Sequence, residues 1–118
     1  MMHEEFFKLL ENTSVNDETV ASVESAYKLT LPDTLKKVLS VSTEDVFVDE
    51  KRLLSLSEIL SADIEYGTAF IAQKLIPVFD SMDNDFIVFD LQENTWTMFN
   101  IVDLCQFAKR ELLADYFN

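Results

Sequence analysis

Residues 75–91 read LIPVFDSMDNDFIVFDL, two apolar runs around a short acidic stretch. Leu75, Ile76, Pro77, Val78 and Phe79 form the first run, and Phe86, Ile87, Val88 and Phe89 the second. Successive side chains of a strand point to opposite faces. Phe86 and Val88 therefore fall on one face, with Ile87 and Phe89 on the other. A sheet covered by helices on one side needs only one apolar face. The second face must be tucked under a loop or offered to a partner.

The flanking pattern predicts three strands, over 74–79, 85–91 and 95–100. The turn Gln92-Glu93-Asn94 is short, so the last two pair as an antiparallel hairpin. VFV at 46–48 and RLLSL at 52–56 read as short strands. A first helix is predicted over 3–11, where Phe6, Phe7 and Leu10 recur at helical spacing. Ser14 and Asp17 suggest the start of a second helix that runs to about Lys28. Pro32 and Asp33 suit the first turn of a third, with Leu35, Val38 and Leu39 as its apolar face. SLSEILSADIEYG reads as a helix capped by Ser55 or Ser57 and stopped at Gly67. A last helix is predicted from Asn100, an N-cap residue, with Asp103 at the N3 position. Ile101, Leu104, Cys105, Ala108, Leu112 and Tyr116 would form its buried stripe.

A chain of 118 residues suits one domain, and no repeat or linker divides it. Its single glycine, Gly67, leaves few tight turns with positive φ and no glycine-rich phosphate loop. The net charge of −13 disfavours nucleic acid and anionic membranes and favours a basic protein partner. Cys105 is the only cysteine, so no internal disulfide forms, which fits a reducing cytosol. MMHEEFF has no basic n-region, and no apolar run is long enough to span a membrane. The expected location is cytoplasmic.

No residue set for catalysis stands out, and no cofactor is implied. DSMDND fails as a calcium loop, because Met82 and Asn84 take the third and fifth positions and Phe86 replaces the glycine. The only histidine, His3, lies near the N-terminal end, and Cys105 reads as core packing. No metal site and no catalytic residue is therefore expected. One feature is less ordinary: no Lys or Arg occurs from Leu75 to Ala108. That span carries Asp80, Asp83, Asp85, Asp90, Glu93 and Asp103, and the candidates are its first three together with Glu44, Asp45, Asp49 and Glu50 of EDVFVDE. A surface built for solubility alone usually mixes signs. These seven carboxylates are either a solvated sheet edge or the acidic rim of a protein-binding patch.

Three segments resemble the SUKH superfamily, bacterial immunity proteins together with a yeast cell-wall-synthesis regulator. In VASVESAYKLTLPDTLKKVL, a helix with Glu24 leads to Leu31-Pro32 and then to a helix with Leu35, Val38 and Leu39. LLSLSEIL is similar to the family's middle strand and helix. LIPVFDSMDNDFIVFDL is similar to its late hairpin, which ends at Asp90. The resemblance covers residues 16–116 and leaves 1–15 as an N-terminal helical extension. SVSTED stands where the family often has Asn-Gly-Gly, and Met82 and Asn84 stand where it often has glycine. The resemblance implies a single α+β domain, a mainly antiparallel sheet flanked by helices. It also implies a non-catalytic role: binding and neutralising a polymorphic toxin, for which a basic nuclease is a suitable partner. A regulatory or scaffold domain of the yeast-regulator kind is the alternative.

Overall fold

A computed structural model describes residues 1–43 and 45–117. The helices are α1 (His3–Glu11), α2 (Asp17–Tyr27), α3 (Asp33–Ser40), α4 (Leu56–Tyr66) and the single turn α5 (Phe70–Gln73). The strands are β1 (Val46–Val48), β2 (Lys51–Leu53), β3 (Leu75–Asp80), β4 (Asp85–Asp90), β5 (Thr95–Asn100) and β6 (Cys105–Arg110). A 3₁₀ turn, Leu113–Tyr116, follows. All six strands join one antiparallel sheet in the order β1-β2-β3-β4-β5-β6, so the fold is α+β.

Local chemistry sets the helix ends. Asn16, not Ser14, caps α2 by accepting the Thr19 N–H at 3.2 Å. Glu24 accepts the Leu31 N–H at 2.9 Å and so folds the α2–α3 connection. At α4, Ser55 and Glu58 form a reciprocal capping box, and Gly67 ends the helix at φ 67°. Asp63 accepts the Phe70 N–H at 2.6 Å and the Thr68 hydroxyl at 2.7 Å, which fixes α5.

Both faces of the central strands are closed. Tyr66 of α4 meets Phe86 edge-on at 4.9 Å, and Phe70 of α5 meets Phe99 at 5.0 Å. The Tyr27 hydroxyl of α2 donates to the Leu75 carbonyl at 2.7 Å. On the other face Phe79 meets Phe6 of α1 at 5.6 Å and Phe117 at 5.4 Å. Leu75–Phe79 and Phe86–Asp90 are consequently all buried. The second apolar face is thus taken up by a helix and the C-terminal segment of the same chain, neither a loop nor a partner.

The predicted last helix does not form. Residues 101–104 make a turn, Cys105–Arg110 is an edge strand, and Leu104 and Ala108 adopt φ 55° and 52°, values excluded from a right-handed helix. A strand here pairs β5, which a helix would leave with an open edge. The supposed stripe is accordingly split: Leu104 and Leu112 are 54% and 63% exposed, and Cys105 is exposed rather than core. Tyr116 returns to the sheet by donating its hydroxyl to the Ala108 carbonyl at 2.6 Å. Burial pushes that hydroxyl up to about 12. Nor does a lone glycine limit the turns as expected, because nine other described residues take positive φ.

Phe6 is fully buried on a closed face, so Phe6→Ala should cost about 3–5 kcal/mol in urea unfolding. Leu104→Ala and Leu112→Ala should stay within about 0.5 kcal/mol, as exposed changes do. Equal costs for Phe6 and Leu112 would contradict this packing.

Candidate protein-binding surface

In a meander of this order, the β1–β2, β3–β4 and β5–β6 turns share one end of the sheet. With strands about 4.8 Å apart, neighbouring turns lie roughly 10 Å from one another. The register supports this: Arg52 faces Asp80, and Asp85 faces Asn100. The Ile101 N–H donates to the Asn84 carbonyl at 2.9 Å, joining two of the turns directly.

This end gathers Asp49 and Glu50 from the first turn with Asp80, Asp83 and Asp85 from the second. Asp45 is not among them. It sits at the far end of β1, beside Ser55, Ser57 and Glu58 at the start of α4. Glu44 lies outside the described residues. The third turn adds Asp103, which the helical reading placed at an N3 position. It also adds exposed Val102 and Leu104, and the second turn adds exposed Met82. Val102 is 69% exposed and Met82 59%. The surface is therefore apolar side chains among carboxylates. Reading residues 100–106 as a hairpin, with Lys109 and Arg110 guarding an edge strand, would have exposed it.

The carboxylates fall into two sets. Asp49 accepts the His3 N–H at 2.9 Å and pairs with His3 Nδ1 at 2.8 Å. Partial burial pushes its carboxyl up, but the bonds from His3 outweigh this and hold it below the usual range. Asp80 accepts the Met82 N–H at 2.7 Å and lies 3.5 Å from Arg52 Nη2. Asp85 accepts from Asn100 Nδ2 at 2.8 Å. These three brace the turns. Glu50, Asp83 and Asp103 are exposed, and their carboxylates make no hydrogen bond or ion pair with the described residues.

The turn backbones are themselves held away from their ordinary minima. Asp49, Met82, Asn84 and Leu104 have φ of 54°, 65°, 62° and 55°. Met82 and Asn84 are the positions where glycine was expected from the SUKH resemblance, so the left-handed conformation persists without the glycine. For a residue such as leucine it costs about 1–2 kcal/mol. Asn and Asp visit this region readily, so the strain falls chiefly on Met82 and Leu104.

Arg52 anchors the end to α4. Its Nη1 donates to both Glu58 oxygens, at 2.8 and 2.7 Å. Burial pushes the Glu58 carboxyl up, yet the Ser55 N–H and the Arg52 guanidinium bring it below the usual range. Among the described residues, no three His, Cys, Asp or Glu side chains converge as metal ligands, and no helix is long and apolar enough to cross a membrane.

A family model described as the SMI1 / KNR4 family (SUKH-1) matches residues 14–118. That span is most of the chain, and the chain belongs to this family. Comparison with curated proteins and with solved structures found no match. α1 precedes the matched span.

Two measurements check this geometry. The folded pKa of Glu58 lies below its unfolded value, so its stabilising contribution is complete above the ordinary carboxylate pKa and fades as pH falls through the folded one. Glu58→Gln should therefore be less stable than wild type at pH 7, with the difference shrinking as pH falls below the ordinary carboxylate range. A gap that widened on acidification would reverse the assignment. Leu104→Gly should raise stability by up to about 1 kcal/mol, by releasing the left-handed strain. A loss would mean that Leu104 packs more than its exposure shows.

Proposed function

We propose that this SUKH-1 domain is an immunity protein that binds and neutralises a bacterial polymorphic toxin, with a basic, nuclease-like domain as the partner. One observation carries the reading: three turns at one end of the sheet present unpaired carboxylates around exposed apolar side chains. A nuclease must hold phosphates and is basic for that reason. A carboxylate-rich face would occupy such a surface and exclude the substrate. The action required is binding alone, in keeping with a family of largely non-catalytic binding domains.

The residues divide by role. Glu50, Asp83 and Asp103 form the rim that draws the partner in. Met82, Val102 and Leu104 are the anchors that lose water in the complex. Asp49, Asp80 and Asp85 position the turns through His3, Arg52 and Asn100. Asp45, at the opposite end of β1, contributes only to the long-range field, and Glu44 is proposed to act with it. The same charge disfavours nucleic acid and anionic membranes as partners, and a cytoplasmic site of action suits a protein that guards its own cell.

The test pairs the domain with a basic toxin domain encoded beside it, scoring growth rescue and measuring association and dissociation rates at low and high salt. Glu50→Gln/Asp83→Asn/Asp103→Asn should lower the association rate at low salt by about tenfold and leave dissociation nearly unchanged. Met82→Ser/Val102→Ser should instead speed dissociation. Identical association rates for wild type and the triple variant would remove these turns from the interface. Binding without rescue would favour a regulatory domain over an immunity protein.

A further inference from the structure

A groove of about 580 Å³ opens between α1, α3 and the segment after β6, away from the acidic turns. Trp96 and Phe89 lie at its base, edge to face with ring centroids 5.0 Å apart. Phe7 and Leu10 of α1, Val38 of α3 and exposed Leu112 complete an apolar lining. Glu11 and Glu111 stand on the rim, exposed and without an ion pair among the described residues. Lys37 is the one cation in the lining.

We propose that this groove receives a segment of a partner protein that carries a row of bulky apolar side chains flanked by Lys or Arg. Three observations select that occupant. The groove is partly open to solvent, so it can take the side chains of a longer chain, whereas a small-molecule site encloses about 70–90% of its ligand. Its lining is largely apolar, from α1, α3, the segment after β6 and the strands beneath, the kind of surface that takes the apolar face of an amphipathic helix. Its two acidic rim residues outnumber Lys37, on a chain of charge −13, so a basic flank is attracted and an anionic amphiphile repelled. One wall, α1, lies outside the span matched by the family model. The inference does not require the partner to be a toxin.

Trp96 is the only tryptophan, so its emission reports occupancy of the groove. The probe is a synthetic 14-residue peptide of leucine and lysine spaced as an amphipathic helix, compared with a lysine–serine peptide of equal charge. A saturable change in Trp96 emission is expected with the first peptide alone. Glu111→Lys/Leu112→Lys should weaken it about tenfold or more, equivalent to about 1.4 kcal/mol. Both positions are exposed, and Glu11→Lys serves as a second variant should the pair not fold. Glu50→Gln/Asp83→Asn/Asp103→Asn, at the other surface, should bind the peptide as wild type does. The proposal is overturned if the lysine–serine peptide gives the same change, if the groove variants bind unaltered, or if the turn variant loses binding. It is overturned equally if toluene perturbs Trp96 while the leucine–lysine peptide does not, which would mark a pocket for small apolar molecules.

Discussion

The β3–β4 pair is apolar on both faces, and the rest of the molecule is arranged around that fact. Burying an aliphatic or aromatic side chain contributes about 1.5–3 kcal/mol, so leaving either face wet would forfeit much of the stability of a domain this size. One face is closed by α4 and α5, with Tyr27 tying α2 to the Leu75 carbonyl. The other is closed by elements far apart in sequence, Phe6 of α1 and Phe117, which meet on Phe79. Because both faces are occupied by the chain itself, recognition is left to the ends of the sheet, its edges and the seams between the covering elements. The acidic turns are one such end, and the Trp96 groove is one such seam.

Most elements were legible because each carried a local signal that agreed with its surroundings. VFV, the capped α4 and the strands near 75, 85 and 95 formed as the pattern implied, and Asp90 turned inward to accept the Gln92 and Glu93 N–H groups. Residues 100–116 misled because the signals are shared. Asn100 accepts the Val102 and Asp103 N–H groups at 2.9 and 2.8 Å, the bonds a helix cap would make, but here they close a hairpin turn. Apolar residues at three- and four-residue spacing suited a helix, while the open edge of β5 and the left-handed Leu104 and Ala108 decided for a strand. Tertiary pairing overrode a weak local preference. The same error concealed Val102 and Leu104. The acidic theme of the candidate surface was visible in the sequence, whereas its apolar part was not.

Asp80 and Asp85 show why a count of carboxylates does not define an interface. Both were legible as acidic residues in an acidic stretch. Only the register shows that Arg52 stands opposite Asp80 and Asn100 opposite Asp85. A carboxylate already holding an arginine or an amide has less to give a partner, since a new contact must compete with the old one. It does keep its turn rigid, and rigid presentation lowers the ordering cost of binding. The braced carboxylates and the free ones are therefore complementary: the first set shapes the turn, and the second is left with its charge unsatisfied.

The basic residues complete the electrostatics. Arg52 is held by Glu58 and Asp80, Lys109 pairs with Glu93, Lys36 reaches Asp33, and Lys51 lies over the Phe117 ring at 5.1 Å. Of these, Lys51 adjoins Glu50 and its charge helps to lower the Asp49 carboxyl, whereas Asp83 and Asp103 have no ion pair among the described residues. Exposed ion pairs contribute about 0–1 kcal/mol, so adding bases at the turns would have brought little stability. Leaving them out of the second and third turns keeps those turns acidic at some cost in self-repulsion, and under the proposed function this would speed a salt-sensitive encounter with a cationic surface. In the proposed complex the apolar side chains at the same end would set how long the encounter lasts, because their burial is not screened by salt. Exposed carboxylates and exposed apolar side chains thus occur together at one end of the sheet, on turns held by the bonds to His3, Arg52 and Asn100.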